Sequence, residues 1–218
     1  MIEPPKYADG APAILVAMTF VTGIVDAVSF LALGHVFTAN MTGNIAFLGF
    51  ALAGAPNVSI PRSLLALICF SAGAVIGGRM ASRMWVIRAF GAEAFLLLAA
   101  AAVSIGFTEP LKVEGLIALT ALAMGLRNAV VRKLGVPDLT TTVLTLTITA
   151  FAADSTLAGG DNVRWQRRFA AIVAMLGGAA AGAFLLGYSI ALALGVCGVI
   201  TSACASLWFH IESKRGQA

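Results

Sequence analysis

The stretch HVFTANMTGNIAFLGF, residues 35–50, places Thr, Asn and Gly residues directly between two apolar segments. Lipid offers no hydrogen bonds to backbone N–H and C=O groups. Irregular polar chain at membrane depth therefore persists only inside protein or beside a water-filled cavity. We expect a helix that breaks inside the membrane at this point, and a functional site at the break.

The composition of the whole chain is that of a membrane protein. Of its 218 residues, 60% are hydrophobic and 11% are charged, whereas soluble domains carry about 25% charged residues. The apolar runs are continuous, which excludes the alternating pattern of a β-barrel. We predict an all-α polytopic membrane protein that forms a single membrane domain over residues 1–218, without a cleavable signal peptide.

Six apolar segments have the length of a membrane-spanning helix. Two further segments, about 42–55 and 141–153, fall short of the ~20 residues that a crossing helix needs. Each of these two follows a polar approach, which predicts two short re-entrant half-helices. The six predicted spans are about 11–34, 62–80, 89–107, 113–135, 168–186 and 189–209.

The two halves of the chain resemble each other. GIVDAV (23–28) recurs as GLRNAV (125–130), and each polar approach stands at a similar place in its half. This pattern predicts two structural repeats, about 11–107 and 113–209. Further matches at one constant offset are Arg62, Gly73 and Gly77 with Arg167, Gly178 and Gly182.

The basic residues favour an inverted arrangement of the repeats. If all eight segments cross, Lys and Arg divide eight to five between the two sides; if the short pieces re-enter, eleven lie on one side and only Arg62 and Lys112 on the other. The positive-inside rule favours the second count. It predicts three spans per repeat and both termini cytoplasmic. A half-helix reached through an extended strand could still cross, which keeps a parallel arrangement open. The predicted cytoplasmic set is Lys6, Arg79, Arg83, Arg88, Arg132, Lys133, Arg164, Arg167, Arg168, Lys214 and Arg215.

Two charged residues fall inside predicted spans. A carboxylate near mid-membrane costs at least ~2.5–3.5 kcal/mol, so Asp26 must be protonated, paired or facing water. It is a candidate proton-coupling group; alternatively it is a buried partner of the first half-helix or of Arg127. Arg127 and the adjacent Asn128 could hold an anionic group of a solute, or Arg127 could extend to the membrane surface.

The polar approaches supply the remaining candidates for a solute site. Half-helix N-termini leave backbone N–H groups unpaired and carry partial positive charge, so two of them aimed at one point would bind an anion or a polar solute. The alternative is that these side chains only cap and join helices. The candidates are Thr38, Asn40, Thr42, Asn44, Thr141, Thr142, Thr145 and Thr147.

Other features have plainer interpretations. We expect Glu93 at the membrane interface, and the Gly-rich faces around Gly73 and Gly178 at helix contacts within the chain or across a homodimer. The sequence contains no zinc-protease motif, phosphate-binding loop or paired cysteines, so we expect no enzyme, no cofactor and no metal site. The basic residues are juxtamembrane, which gives no support for nucleic-acid binding.

The stretch TGIVDAVSFLALGHVFTANMTGNIAFLGFALAG, residues 22–54, resembles the YoaK-like family of small bacterial integral membrane proteins. The matching elements are a Thr-Gly-x-x-Asp-Ala start at 22–27, Leu33-Gly34 and Asn-Met-Thr-Gly-Asn at 40–44. The second half departs from the family pattern at Leu146, where a glycine is usual. The resemblance implies about six spans in the bacterial inner membrane, and it supplies no substrate.

These observations favour a secondary transporter or permease for a small polar or anionic solute. Its site would lie between the two half-helix N-termini, with Asp26 as the protonatable group. Two alternatives remain open: a passive channel lined by the same segments, and a membrane scaffold or accessory subunit that transports nothing.

Overall fold

A computed structural model gives the fold of residues 10–56, 58–80, 85–109, 111–142 and 144–215. Within those ranges every regular element is helical, with eight α-helices and a short 3-10 turn at Thr156–Ala158. The all-α prediction is confirmed. The helices are α1 (Ala11–Ala32), α2 (Met41–Leu52), α3 (Ile60–Arg79), α4 (Trp85–Gly106), α5 (Leu111–Leu134), α6 (Leu144–Ala153), α7 (Trp165–Leu186) and α8 (Ile190–Arg215).

The helices fall into two length classes. Six are long and apolar enough to cross a membrane, whereas α2 has 12 residues and α6 has 10. At 1.5 Å per residue, the short helices span only about 18 and 15 Å of a hydrocarbon core about 30 Å thick. The chain is therefore a multi-pass membrane protein with six candidate spans and two half-helices among its described residues.

Glycines set the contact between α1 and α7. A side chain at Gly178 would collide with the carbonyl of Phe20, and one at Gly182 would lie 2.8 Å from the Cα atom of Ile24. Residue numbers rise together along this contact, so α1 and α7 run parallel. Close backbone approach at small residues is the usual way in which helices pack inside a membrane.

The contact between α3 and α5 is built in the same way. A side chain at Gly73 would collide with the carbonyl of Leu122, and one at Gly77 would lie 2.6 Å from that of Leu126. These two helices also run parallel. The glycines of both faces thus meet helices of their own chain, which is the first of the two kinds of contact expected for them.

Contacts along α8 show at which end of the bundle each helix begins. The ring of Phe90 in α4 meets Trp208, and Leu98 meets Gly198, so α4 and α8 run antiparallel. Gly10, just before α1, lies against Ile211 near the end of α8. We call this the first end of the bundle. There α1 and α4 begin and α8 finishes.

The half-helices therefore do not cross. The short connection to α4 requires α3 to finish at the first end, so α3 begins at the second end, where α1 also finishes. Helix α2 enters and leaves at that second end. Helix α5 runs parallel to α3 and therefore also finishes at the first end, and α7 runs parallel to α1 and therefore begins there. Helix α6, which lies between them in the chain, re-enters at that first end. The prediction of two re-entrant half-helices is confirmed.

The basic side chains divide unequally between the two ends. Arg62 and Lys112 lie at the second end, as predicted. Lys6 and Arg83 lie outside the described residues, and so does the side chain of Arg215. At the first end are Arg79, Arg88, Arg132, Lys133, Arg164, Arg167, Arg168 and Lys214.

Candidate functional site

The first link, residues 33–40, joins α1 to α2 and reaches back to Asp26. The backbone N–H of Ala39 donates to Asp26 Oδ1 at 3.3 Å, and Asp26 is buried, with 6% of the residue exposed. Asp26 lies about 9 Å before the end of α1, given the helical rise. The polar chain ahead of α2 is thus folded into the membrane interior against a buried carboxyl group.

Asn44 fixes the shape of the first link. Its Oδ1 accepts from the N–H of Phe37 at 2.9 Å, and its Nδ2 donates to the carbonyl of Phe37 at 2.5 Å. The ring of Phe37 stacks on Phe30 and Phe47, with centroids 5.1 and 5.7 Å away. Asn44 is therefore a buried structural contact, and an apolar cluster secures this half-helix.

The other candidates of the first link differ in their surroundings. Thr38 is fully buried and its hydroxyl has no hydrogen-bond partner. Asn40 and Thr42 are exposed, and the Asn40 side chain does not cap α2. The N–H groups of the first turn of α2 therefore lack a side-chain cap from Asn40.

The second link, residues 135–142, makes the corresponding contact with α5. The hydroxyl of Thr142 bonds to Asn128 Oδ1 at 2.5 Å, and Asn128 Nδ2 donates to the carbonyl of Met124 at 2.8 Å. Thr141 is buried with an unpartnered hydroxyl, whereas Thr145 is exposed. Thr142 of the second link thus bonds to the side chain of Asn128, as Ala39 of the first link bonds to the side chain of Asp26.

An ionic cluster secures the second half-helix. The buried guanidinium of Arg168 lies 3.1 Å from Asp138 Oδ1 in the second link and 2.8 Å from Asp154 Oδ2 beyond α6, and it donates to the carbonyl of Ala150 at 2.7 Å. Arg164 adds a contact of 2.9 Å to Asp138. Sequence reasoning placed Arg168 only among the surface charges, since its three partners come from separate segments.

Arg127 has a different partner from the one considered from the sequence. Its Nη2 lies 3.0 Å from Glu93 Oε1, and both side chains are fully buried. Its Nη1 donates to the carbonyl of Met18 and to Thr22 Oγ1, the latter at 3.1 Å. The guanidinium therefore joins α1, α4 and α5.

This geometry corrects two expectations. Glu93 is not interfacial, because it pairs with Arg127 inside the bundle. Arg127 neither extends to the surface nor pairs with Asp26, since its fork is already taken by Glu93, Met18 and Thr22. A buried charge is tolerated only when it is paired in this way.

The two links enter from opposite ends but stay apart. Asp26 and Asn128 each lie about 9 Å inside their own end, which leaves about 15 Å between them along a bundle about 33 Å long. A cavity of about 780 Å³ between α3, α5 and the second link includes Asn128 and Thr140 in its lining. Asp26, Thr42, Arg127 and Thr145 are not part of that lining, so this cavity does not unite the predicted site residues.

Metal coordination has no candidate group in the part of the chain that the structure describes. No three or more His, Cys, Asp or Glu side chains converge there. The chemistry available at the two links is hydrogen bonding by hydroxyl, amide and backbone N–H groups beside the carboxyl groups of Asp26 and Asp138. The carboxyl group of Asp138 is already paired with Arg164 and Arg168.

Comparisons with known proteins agree with this architecture. Residues 14–207 match the model of a family described as "Protein of unknown function (DUF1275)". The chain is 38% identical over 148 residues to the UPF0700 transmembrane protein YoaK of Bacillus subtilis (strain 168), and the match covers 65% of each protein. The chain thus spans about two thirds of that relative's length. No solved structure matches. With its re-entrant Asp26 and Asn128 segments inside a six-span helical bundle, the chain belongs to the DUF1275 family of YoaK-like membrane proteins.

Proposed function

We propose that this protein is a secondary transporter, and not an enzyme, for a small polar or anionic solute. The observation that carries the proposal is the pair of half-helices whose N-terminal approaches enter the membrane from opposite ends and reach Asp26 and Asn128. Transporters bind solutes at interrupted helices of this kind, because the free N–H groups and the helix dipole attract polar and anionic groups.

We infer that the two halves are inverted repeats, residues 11–107 and 113–209. Three observations support this. In the α3–α5 pair, Gly73 contacts Leu122, and the matching contact in the α1–α7 pair is that of Gly178 with Phe20. The contact of Gly77 with Leu126 likewise matches that of Gly182 with Ile24. The links contact Asp26 and Asn128, which occupy matching positions of the repeated motif. Helices α1 and α5 run in opposite directions, as inversion requires.

The first end of the bundle is the cytoplasmic one in this proposal. It carries eight of the ten described Lys and Arg residues that flank the spans, the other two being Arg62 and Lys112, as the positive-inside rule requires. Both termini then face the cytoplasm, and the first link opens to the outside. The membrane is the bacterial inner membrane.

Each candidate residue has a role in the proposal. Asp26 exchanges the coupling proton, because protonation of its carboxyl group changes how it holds the first link through Ala39. Arg127 meets a solute anion only when that anion displaces Glu93 from its guanidinium. The groups proposed to contact the solute, directly or through the backbone that they position, are Thr38, Asn40, Thr42, Asn44, Asn128, Thr141, Thr142 and Thr145.

The experiment measures proton movement in proteoliposomes that contain a pH-sensitive dye. Inorganic phosphate, small carboxylates and small neutral amino acids are added in turn outside. We expect at least one of them to drive proton uptake with the native chain and none to do so with Asp26→Asn, while the variant keeps its thermal stability. Unchanged uptake in the variant would remove Asp26 from the mechanism. Solute flux without any proton movement would indicate a channel.

A scaffold without transport is the second candidate. The cavity described above does not bring Asp26, Arg127 and the two links together, and that observation favours it. The scaffold interpretation predicts that no solute of the panel moves protons or crosses the membrane with the native chain.

A further inference from the structure

The cavity between α3, α5 and the second link has the shape of a lipid site. It runs from Gly78 and Lys133 at the first end inwards to Phe70, a depth of about 12 Å along α3. Gly78 in the lining is exposed, and Val75, which follows the lining residue Ala74 in α3, is 50% exposed. The cavity therefore lies beside the hydrocarbon of the bilayer.

The inner part of the cavity is apolar. Apart from Arg132 and Lys133, the polar side chains in the described lining are Asn128 and Thr140. An aliphatic chain would replace unfavourable contact between these walls and water, which is the main source of affinity in such pockets. The apolar walls are Phe70, Ala74, Ala129, Val131, Val136 and Leu139.

The mouth of the cavity is cationic. Arg132 and Lys133 are both exposed, and the lining that the structure describes includes no Asp or Glu. The ammonium of Lys133 donates to the carbonyl of Gly78 and lies 5.7 Å from the centroid of the Trp85 ring, so its charge is held at the mouth. A basic pocket at the end of membrane helices suits the head group of an anionic lipid.

We propose that this cavity binds an anionic phospholipid of the adjacent leaflet, with its head group at Arg132 and Lys133 and one acyl chain along Phe70 and Ala74. The charge at the mouth requires a negative head group, and the apolar depth beside the bilayer requires a chain. Bound lipid would contact Asn128, which holds the second link through Thr142. Binding is independent of transport, so it can fail or succeed whatever the outcome for the proposed function.

The test uses the purified full chain, delipidated in a mild detergent and titrated under native mass spectrometry. Dioleoyl phosphatidylglycerol is compared with dioleoyl phosphatidylcholine, which has the same chains. We expect the native chain to prefer phosphatidylglycerol. The double variant Arg132→Gln/Lys133→Gln should bind phosphatidylglycerol with roughly tenfold lower affinity, since each cation near an anionic head group contributes to its binding.

The matched control is Arg88→Gln/Arg167→Gln, which removes two cations from the same end outside the cavity lining. It should change the affinity for phosphatidylglycerol less than about twofold. Arg132→Gln alone, at an exposed position, should reduce the affinity for phosphatidylglycerol by less than the Arg132→Gln/Lys133→Gln variant does. Thermal melting checks that all three variants are folded.

Three results would overturn the proposal. Equal affinity of the native chain for the two lipids would show no head-group selection. Equal weakening in both double variants would show diffuse charge attraction only. A soluble anion such as decyl phosphate that binds more tightly than phosphatidylglycerol, and displaces it, would assign the cavity to a soluble ligand instead.

Discussion

Arg127 and Glu93 form an ion pair of 3.0 Å in which both side chains are fully buried. The pair joins α5 to α4, and the same guanidinium holds α1 through Met18 and Thr22. Charges at this depth cost several kcal/mol each unless they are paired. The pair therefore has to persist in the folded protein, or to be replaced by another partner during function.

Removing one member of this pair should be strongly destabilising. We expect Glu93→Gln to cost about 3–5 kcal/mol, because Arg127 keeps its charge without a carboxylate partner. The double variant Glu93→Gln/Arg127→Gln should recover part of that loss. Thermal melting in detergent measures both, with Glu109→Gln at an exposed position as control. Additive losses in the double variant would show that the two residues do not act as a pair.

The neighbouring glycines of α7 provide a matched pair of substitutions. Gly178→Ala should destabilise by about 1–3 kcal/mol because its new methyl group would meet the carbonyl of Phe20. Gly177→Ala should be neutral or slightly stabilising, since its methyl group would find Phe20 at an ordinary 3.7 Å. The melting temperatures of the two variants measure this difference in stability. A similar change in both would contradict the helix contact described above.

Thr142 and Thr145 offer a second matched pair, in the second half-helix. Thr142→Val leaves Asn128 Oδ1 without its partner, which costs about 1–3 kcal/mol. We expect faster hydrogen exchange in residues 144–153, since the link that holds α6 is loosened. Thr145→Val, at an exposed position, should leave the exchange unchanged. If residues 144–153 exchange their amide hydrogens at the same rate in Thr142→Val as in the native chain, the contact with Asn128 does not hold α6.

Arg168 should hold α6 more firmly than its neighbour Arg167 does. Arg168→Gln breaks the contacts with Asp138 and Asp154 and with the carbonyl of Ala150. Hydrogen bonds to charged groups contribute about 1.5–3 kcal/mol each, so we expect hydrogen exchange in α6 to rise at least tenfold. Arg167→Gln removes the same charge one residue earlier and should have little effect. An equal rise in the hydrogen exchange of α6 in Arg168→Gln and Arg167→Gln would indicate a general charge effect.

How much the sequence predicts depends on whether the signal is local. The short length of α2 and α6, and the polar run before each, are read directly from consecutive residues, so the half-helices were predicted nearly at their true bounds. Basic residues per loop predicted that both half-helices re-enter. These signals need no knowledge of which helices are neighbours.

Contacts between distant segments were beyond the sequence. Glu93 lies in a helix with no basic residue at a pairing distance along it, and its partner Arg127 is brought to it only by the packing of α4 on α5. Arg168 likewise collects partners from the second link and from beyond α6. Convergence of the two half-helices was inferred from symmetry, but each link binds the helix before it in its own half.

The most direct test of the account is the side of the membrane on which single cysteines are labelled. Cys69, Cys197 and Cys204 are first replaced by Ser or Ala, and Cys is then placed at Ala55, Glu109, Asp161 or Ser213. With both half-helices re-entering, an impermeant maleimide outside the cell should label positions 55 and 109 and leave 161 and 213 unlabelled until the membrane is opened. If α2 and α6 cross instead, positions 55 and 109 would be protected along with the C-terminus, and that result would contradict the account.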